Sequence, residues 1–158
     1  MTMTRIDHYL NPAAPAVNSI VVAVSVFVPD DEGRVLMVRR ADNDLYTIPG
    51  GKLEIGETTS VAAARVTRRV AGVDVKVVGL VGVYSDPGHV VEFSDGEVRQ
   101  EFSVCFRAEV LGGEVHAGEN VKEAHWVRPD AVDSLIIHPS IKLRVRHGFD
   151  NRAKPYYS

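Results

Sequence analysis

Two carboxylates, Glu54 and Glu57, stand in the glycine-rich loop "GGKLEIGE", and three arginines, Arg65, Arg68 and Arg69, follow in the run "RVTRRV". Carboxylates ligate hard cations or move protons, and a guanidinium grips phosphate oxygens through paired N–H donors. Arg39 and Arg40 end the apolar run "RVLMVRR" and add a second cationic pair. A third cluster lies in "YSDPGHVVEFSDGEVRQEF", which gathers Tyr84, Asp86, His89, Arg99 and Glu101. A histidine among acids titrates near neutral pH and can serve as an acid–base group, so His89 is either that or a polar contact of its loop. Each of the others has an ordinary alternative. Arg69 is an anion ligand or a solvated helix arginine, Arg68 a surface charge, and Tyr46 a stacking platform for a base or part of the core.

These residues need a scaffold, and the chain is long enough to build one. At 158 residues with 45% apolar and 25% charged residues, it has the size and composition of one globular domain. A net charge of −3 argues against a general binder of nucleic-acid polymers or membrane surfaces, which need basic patches. The single cysteine, Cys105, sits in the apolar alternation "FSVCFRAEV" and reads as a buried thiol suited to a reducing compartment. The polar N-terminus has no apolar signal core, and "IVVAVSVFV" is too short to span a bilayer, so the expected location is the cytoplasm.

Residues 1–18 read as an N-terminal arm, 19–149 as the domain, and 150–158 as a tail. β-Branched residues in "SIVVAVSVFV" (19–28), the turn "PDDEG" and "RVLMVRR" (34–40) predict a hairpin, and "LYTIPGG" (45–51) a short strand. A helix is expected from Thr59 or Ser60 to Ala71, stopped by Gly72. Strands follow at 75–84 and 101–110, with a long intervening loop that has room for its own hairpin at Asp95-Gly96. "LGGE" (111–114) predicts a hairpin turn into the strand "AHWV" (124–127), and "HPSIKLRVRHGF" (138–149) a closing helix with Pro139 in its first turn. Strands in several hairpins, with two helices between and after them, predict an α+β or α/β sandwich.

The segment "GGKLEIGETTSVAAARVTRRVAGV" (50–73) resembles the Nudix box, with Gly51, Glu57, Arg65, Gly72 and Val73 on the motif positions at the family's spacing. The surrounding "RR…LYTIPGG" and "HWV" match the family's usual setting, so the resemblance covers most of residues 19–148. It implies an α/β/α sandwich with a mixed central sheet and Mg²⁺-dependent hydrolysis of nucleoside-diphosphate-linked small molecules, and it leaves a homodimer open. It places Glu57 and Arg65 in the catalytic motif, Gly51, Glu54 and Glu57 near metal, and Arg39, Arg40, Tyr46, Arg69, His89 and Glu101 toward substrate.

The departures fall where the family holds its metal. Three glutamates of the box ligate divalent cations, and Val66, Arg69 and Val70 take their places here. Residues three and four apart share a helix face, so this exchanges a cluster of hard oxygen ligands for a permanent cation and two hydrocarbons, Val66 and Val70, that also read simply as added hydrophobic packing. Mg²⁺ binding is therefore expected to be weak, with Glu57 paired to Arg65 as a brace between loop and helix. Glu92, Glu97, Glu101, Glu119 and Glu123 are the remaining carboxylates that could supply late-loop ligands, or simply lie in solvent. Two functions stay open: a hydrolase whose metal-dependent activity is weak or lost, and a non-catalytic module that binds a nucleotide-like anion. A fused DNA-binding domain is not expected, because little chain follows the last helix.

Overall fold

The continuous burial of residues 24–28 is explained by helices on both sides of them. In the computed structural model, which describes residues 3–158, β2 (Ser19–Phe27) lies within a seven-stranded sheet. Side chains alternate across a strand. Val24, Val26 and Val28 therefore pack with Ala62, Ala63, Val66 and Val70 of helix α1 (Thr59–Ala71), while Phe27 joins Val145 of helix α3 (Pro139–Asp150). The strand β3 (Val35–Arg40) divides the same way, with Leu36 and Val38 in the first core and Val35 and Met37 in the second. These two apolar layers around mixed sheets make the α/β/α sandwich.

The large sheet runs β1 (Arg5–Tyr9), β7 (His89–Phe93), β8 (Val98–Gly113), β2, β5 (Gly50–Lys52), with β6 (Val73–Tyr84) also on β8 and β10 (Tyr156–Tyr157) on β6. β2 and β8 are parallel, whereas β8 pairs antiparallel with both β6 and β7. A second, three-stranded sheet holds β4 (Tyr46–Thr47), β3 and β9 (Val121–Val127). A short helix, α2 (Pro129–Val132), leads toward α3.

Four local expectations need correction. β2 and β3 pair only at their shared turn, where Leu36 N donates to Val28 O at 3.0 Å, and then diverge into different sheets. The short strand at 45–51 is two strands broken at Pro49, one on β3 and one on β2. Helix α1 is capped by Thr58, whose hydroxyl accepts from Val61 N at 3.3 Å, and not by Thr59 or Ser60.

The fourth concerns residues 111–114, which form no hairpin turn: β8 continues through Gly113, and the chain then crosses the end of α1. There His116, Gly118 and Glu119 donate backbone N–H groups to the carbonyls of Ala71, Val70 and Arg69 at 3.0, 2.9 and 3.1 Å. These are carbonyls a helix end cannot satisfy internally. Gly72, at φ +75°, turns the chain in the left-handed region and lies against His116, which leaves no room for a side chain.

Among the described residues, no helix is long and apolar enough to cross a membrane.

Candidate functional site: a cleft beside the glycine loop

A cleft of about 1180 Å³ opens between the two sheets beside α1. Its near wall is Gly50, Gly51 and Lys52 of β5, followed by Glu54, with Arg69 of α1 next to them. Gly51 is pressed onto the helix: a β-carbon there would lie 2.9 Å from Val66 Cγ1 and 3.1 Å from Arg69 Nη2. Glycine is thus what allows the loop to reach the face that carries residues 66, 69 and 70.

The loop is clamped by one ion pair. Arg65 Nε donates to Glu57 Oε2 at 2.6 Å and Nη2 to Oε1 at 2.9 Å, while Nη2 also reaches Lys52 O at 2.9 Å. Glu57 Oε1 accepts a further bond from Glu54 N at 2.9 Å. The hydrogen bonds from Arg65 hold the Glu57 carboxyl below the usual glutamate range and push the guanidinium up. Glu57 therefore spends both oxygens within the protein, and neither Glu57 nor Arg65 lines the cleft. Glu54 does, with an exposed side chain 3.8 Å from Arg65.

The helix face does not fit the magnesium that the sequence pattern implies. Val66 is fully buried and Val70 nearly so, both within the core on the α1 side. Arg69 is exposed at the cleft and makes no ion pair among the described residues. Two hydrocarbons and a cation supply no oxygen ligand and repel Mg²⁺.

The other expected residues divide between the cleft and elsewhere. Arg40, Tyr46 and Glu101 line it together with Arg69. Arg40 is held by Asp42 through bonds of 2.8 and 2.7 Å, and Tyr46 donates its hydroxyl to Glu123 at 2.8 Å. Arg39 does not line the cleft, because Asp44 and Glu123 take its guanidinium at 2.8 and 3.2 Å. His89 is not on a substrate-facing loop: it sits on β7, 2% exposed, with Nε2 3.0 Å from Asp7 Oδ1. Of the acids considered as late-loop ligands, Glu97, Glu101 and Glu119 line the cleft, Glu123 is tied to Tyr46, and Glu92 lies 3.0 Å from His8.

The far end of the cleft carries no sequence motif and rests on β1, within residues 1–18 that read as an arm. Arg5 and Asp7 lie two apart on β1 and so share a face, where Arg5 donates to both Asp7 oxygens at 3.0 and 2.9 Å. Asn43 adds a bond of 2.7 Å. Burial pushes the Asp7 carboxyl up, yet the bonds from His89 and Arg5 hold it well below the usual range. Behind this pair, His138 at the start of α3 lies in the same wall, its pKa pulled down to about 4 by burial and by His89. Arg144, one turn and a half further along α3, is 2% exposed and lies 3.9 Å from Glu101. The one sequence signal was the alternation Arg5, Asp7 against Ile6, His8.

The sequence pattern of the NUDIX domain matches residues 20–146. The chain is 33% identical to an ADP-ribose pyrophosphatase of Methanocaldococcus jannaschii, over 75% of this chain and 63% of that protein. It is 34% identical to a MutT-like protein of Streptomyces ambofaciens, over 70% of this chain and 66% of that one. The chain thus spans just under two thirds of the length of either relative. A solved NUDIX hydrolase from Nitrosomonas europaea superposes with a TM-score of 0.69 at 24% identity, covering 96% of this chain and 84% of that one, which establishes the shared fold. With the glycine loop, the clamp from loop to helix and the sandwich all in place, the chain belongs to the NUDIX domain family.

Proposed function

We propose that the cleft binds a small molecule containing a nucleoside diphosphate, and that magnesium-dependent hydrolysis of it is weak or lost. The observation that carries this reading is the exchange on α1: Val66 and Val70 are packed in the core, and Arg69 turns a guanidinium without an acidic partner to the cleft beside Gly51. A guanidinium binds diphosphate oxygens in pairs and needs no metal to do so. It does not activate water. The substrate class follows from the family and from the relative named an ADP-ribose pyrophosphatase, and ADP-ribose is the probe of choice.

Purified protein should bind ADP-ribose in calorimetry and release little product with Mg²⁺ present. Arg69→Ala should weaken binding about 10- to 100-fold, the loss expected for charge-assisted hydrogen bonds. Turnover of about 1 per second or faster would overturn the loss of activity. It would direct attention to Glu54, Glu97, Glu101 and Glu119, the carboxylates that line the cleft. Binding with no turnover at all would favour the second reading, a non-catalytic module, which the unpaired Arg69 also supports.

A further inference from the structure

His138 keeps one buried ring nitrogen without a partner. Its Nδ1 accepts from Ser140 N at 3.1 Å and lies 2.9 Å from Ser140 Oγ, whereas Nε2 meets no hydrogen-bonding group among the described residues. An unpaired buried polar atom costs on the order of 1–3 kcal/mol, so a partner for it would be stabilising. His89 lies flat against the same ring, with centroids 4.0 Å apart and planes inclined by 15°. Its Nδ1 is also 2.9 Å from Ser140 Oγ, and its Nε2 is 3.0 Å from Asp7 Oδ1. One nitrogen from each histidine and one oxygen of Asp7 all lie within 4.8 Å of one another.

We infer that Asp7, His89 and His138 form a binding site for a divalent transition metal of the zinc class, separate from the Nudix helix. Two imidazoles and a carboxylate suit zinc, cobalt or nickel and are poor ligands for magnesium, which prefers oxygen alone. Around zinc, ligand atoms stand roughly 3.3 Å apart, given bonds of about 2.0–2.1 Å. To reach that spacing the ligand atoms close in from within 4.8 Å, and the two stacked rings turn out of parallel so that their lone pairs converge on one ion. Three protein ligands leave further coordination positions, and because Asp7 and His138 line the cleft, water or a bound anion can fill them from there.

The surroundings are of the kind that orient metal ligands. Arg5 and Asn43 hold the Asp7 carboxylate in place by three hydrogen bonds, leaving Oδ1 toward His89. Ser140 Oγ stands against Nδ1 of both histidines, so its lone pairs can accept a hydrogen bond from each Nδ1–H once the Nε2 atoms turn lone pairs to the ion. His138 then carries its proton on Nδ1 and gives up the bond from Ser140 N, one amide at a helix start. The nearby cations Arg5 and Arg144 are offset by Asp7 and Glu101, so the ion enters a region close to neutral.

The test uses the full chain after treatment with a chelator, and needs no nucleotide. Co²⁺ should bind one equivalent per chain with visible absorption of a low-coordinate N/O site, Zn²⁺ should displace it and raise the melting temperature, and excess Mg²⁺ should do neither. His138→Gln should weaken Co²⁺ binding by more than the Ser140→Ala substitution, for which about 10- to 100-fold is expected. His125→Ala, an exposed histidine elsewhere, should leave it unchanged. Asp7→Asn and His89→Asn alter the folded core, so the comparison rests on His138→Gln. Absence of stoichiometric Co²⁺ and Zn²⁺ binding to the folded wild-type chain, binding indifferent to His138→Gln, or displacement of Co²⁺ by Mg²⁺ would each overturn the site.

Discussion

Arg65 and Glu57 are joined by two parallel hydrogen bonds of 2.6 and 2.9 Å, and this pair ties the glycine loop to the helix without facing the cleft. Glu57→Gln should therefore lower the melting temperature while leaving ADP-ribose affinity nearly unchanged. Because the carboxyl is held below its ordinary value of 4.5, its contribution is present at neutral pH and lost as pH falls from there through the lowered folded value. Between 4.5 and that lowered value, stability should accordingly fall less steeply in Glu57→Gln. Unchanged melting with abolished binding would instead place Glu57 in contact with ligand.

Gly51→Ala should destabilise the fold by about 1–3 kcal/mol, the usual cost of forcing a methyl into a packed site. The added carbon meets Val66 Cγ1 at 2.9 Å, and Val66 is itself fully buried, whereas Arg69 at 3.1 Å is the free end of a flexible chain. Introduced into a Val66→Ala background, Gly51→Ala should cost about 1 kcal/mol less. Denaturant unfolding of the four proteins measures the coupling, and strict additivity would deny the contact.

Val66→Glu, Arg69→Glu and Val70→Glu together should yield a protein that depends on magnesium for stability. Glutamate at the fully buried position 66 is an unpaired charge in the core, costing about 3–5 kcal/mol without metal. Carboxylates at this spacing converge on one helix face, so added Mg²⁺ should raise the melting temperature and ADP-ribose hydrolysis should appear. A folded triple variant that gains neither would show that the surrounding loops no longer support the site.

His147 should make the fold sensitive to mild acid. Burial, followed by the charge of Arg152, holds its pKa below the ordinary 6.5, and Nδ1 lies 2.7 Å from the Tyr84 hydroxyl. The unfolded chain takes up a proton first, so stability is complete above 6.5 and declines as pH falls toward the folded value. The drop in denaturant midpoint between about pH 7.5 and about pH 5.5 should shrink in His147→Gln.

The sandwich was legible because its signals are local: β-branched runs, Gly72 at the end of α1, Pro139 at the start of α3, and fixed spacings around Glu57 and Arg65. Val66 and Val70 could be read as lost ligands, and the structure adds that they are core. Pairing was harder to read. Nothing within 19–40 says that β2 and β3 part after one turn, because that choice is made by β8 and β9, far along the chain. The far end of the cleft was invisible for the same reason: Asp7, His89 and His138 are separated by dozens of residues, and only the pairing of β1 with β7 and the start of α3 bring them together.

β1 also forms one margin of the large sheet, covering β7 along five residue pairs. If the chain were cut within these residues, the β7 backbone would be left with unpaired N–H and C=O groups, a template on which other chains can add. Arg5 and Asp7 would depart in the same event. Proteolytic nicking at one short strand would therefore bare the edge of β7 and strip the far end of the cleft together, so that the cover of that edge and the wall of the cleft depend on the same few residues.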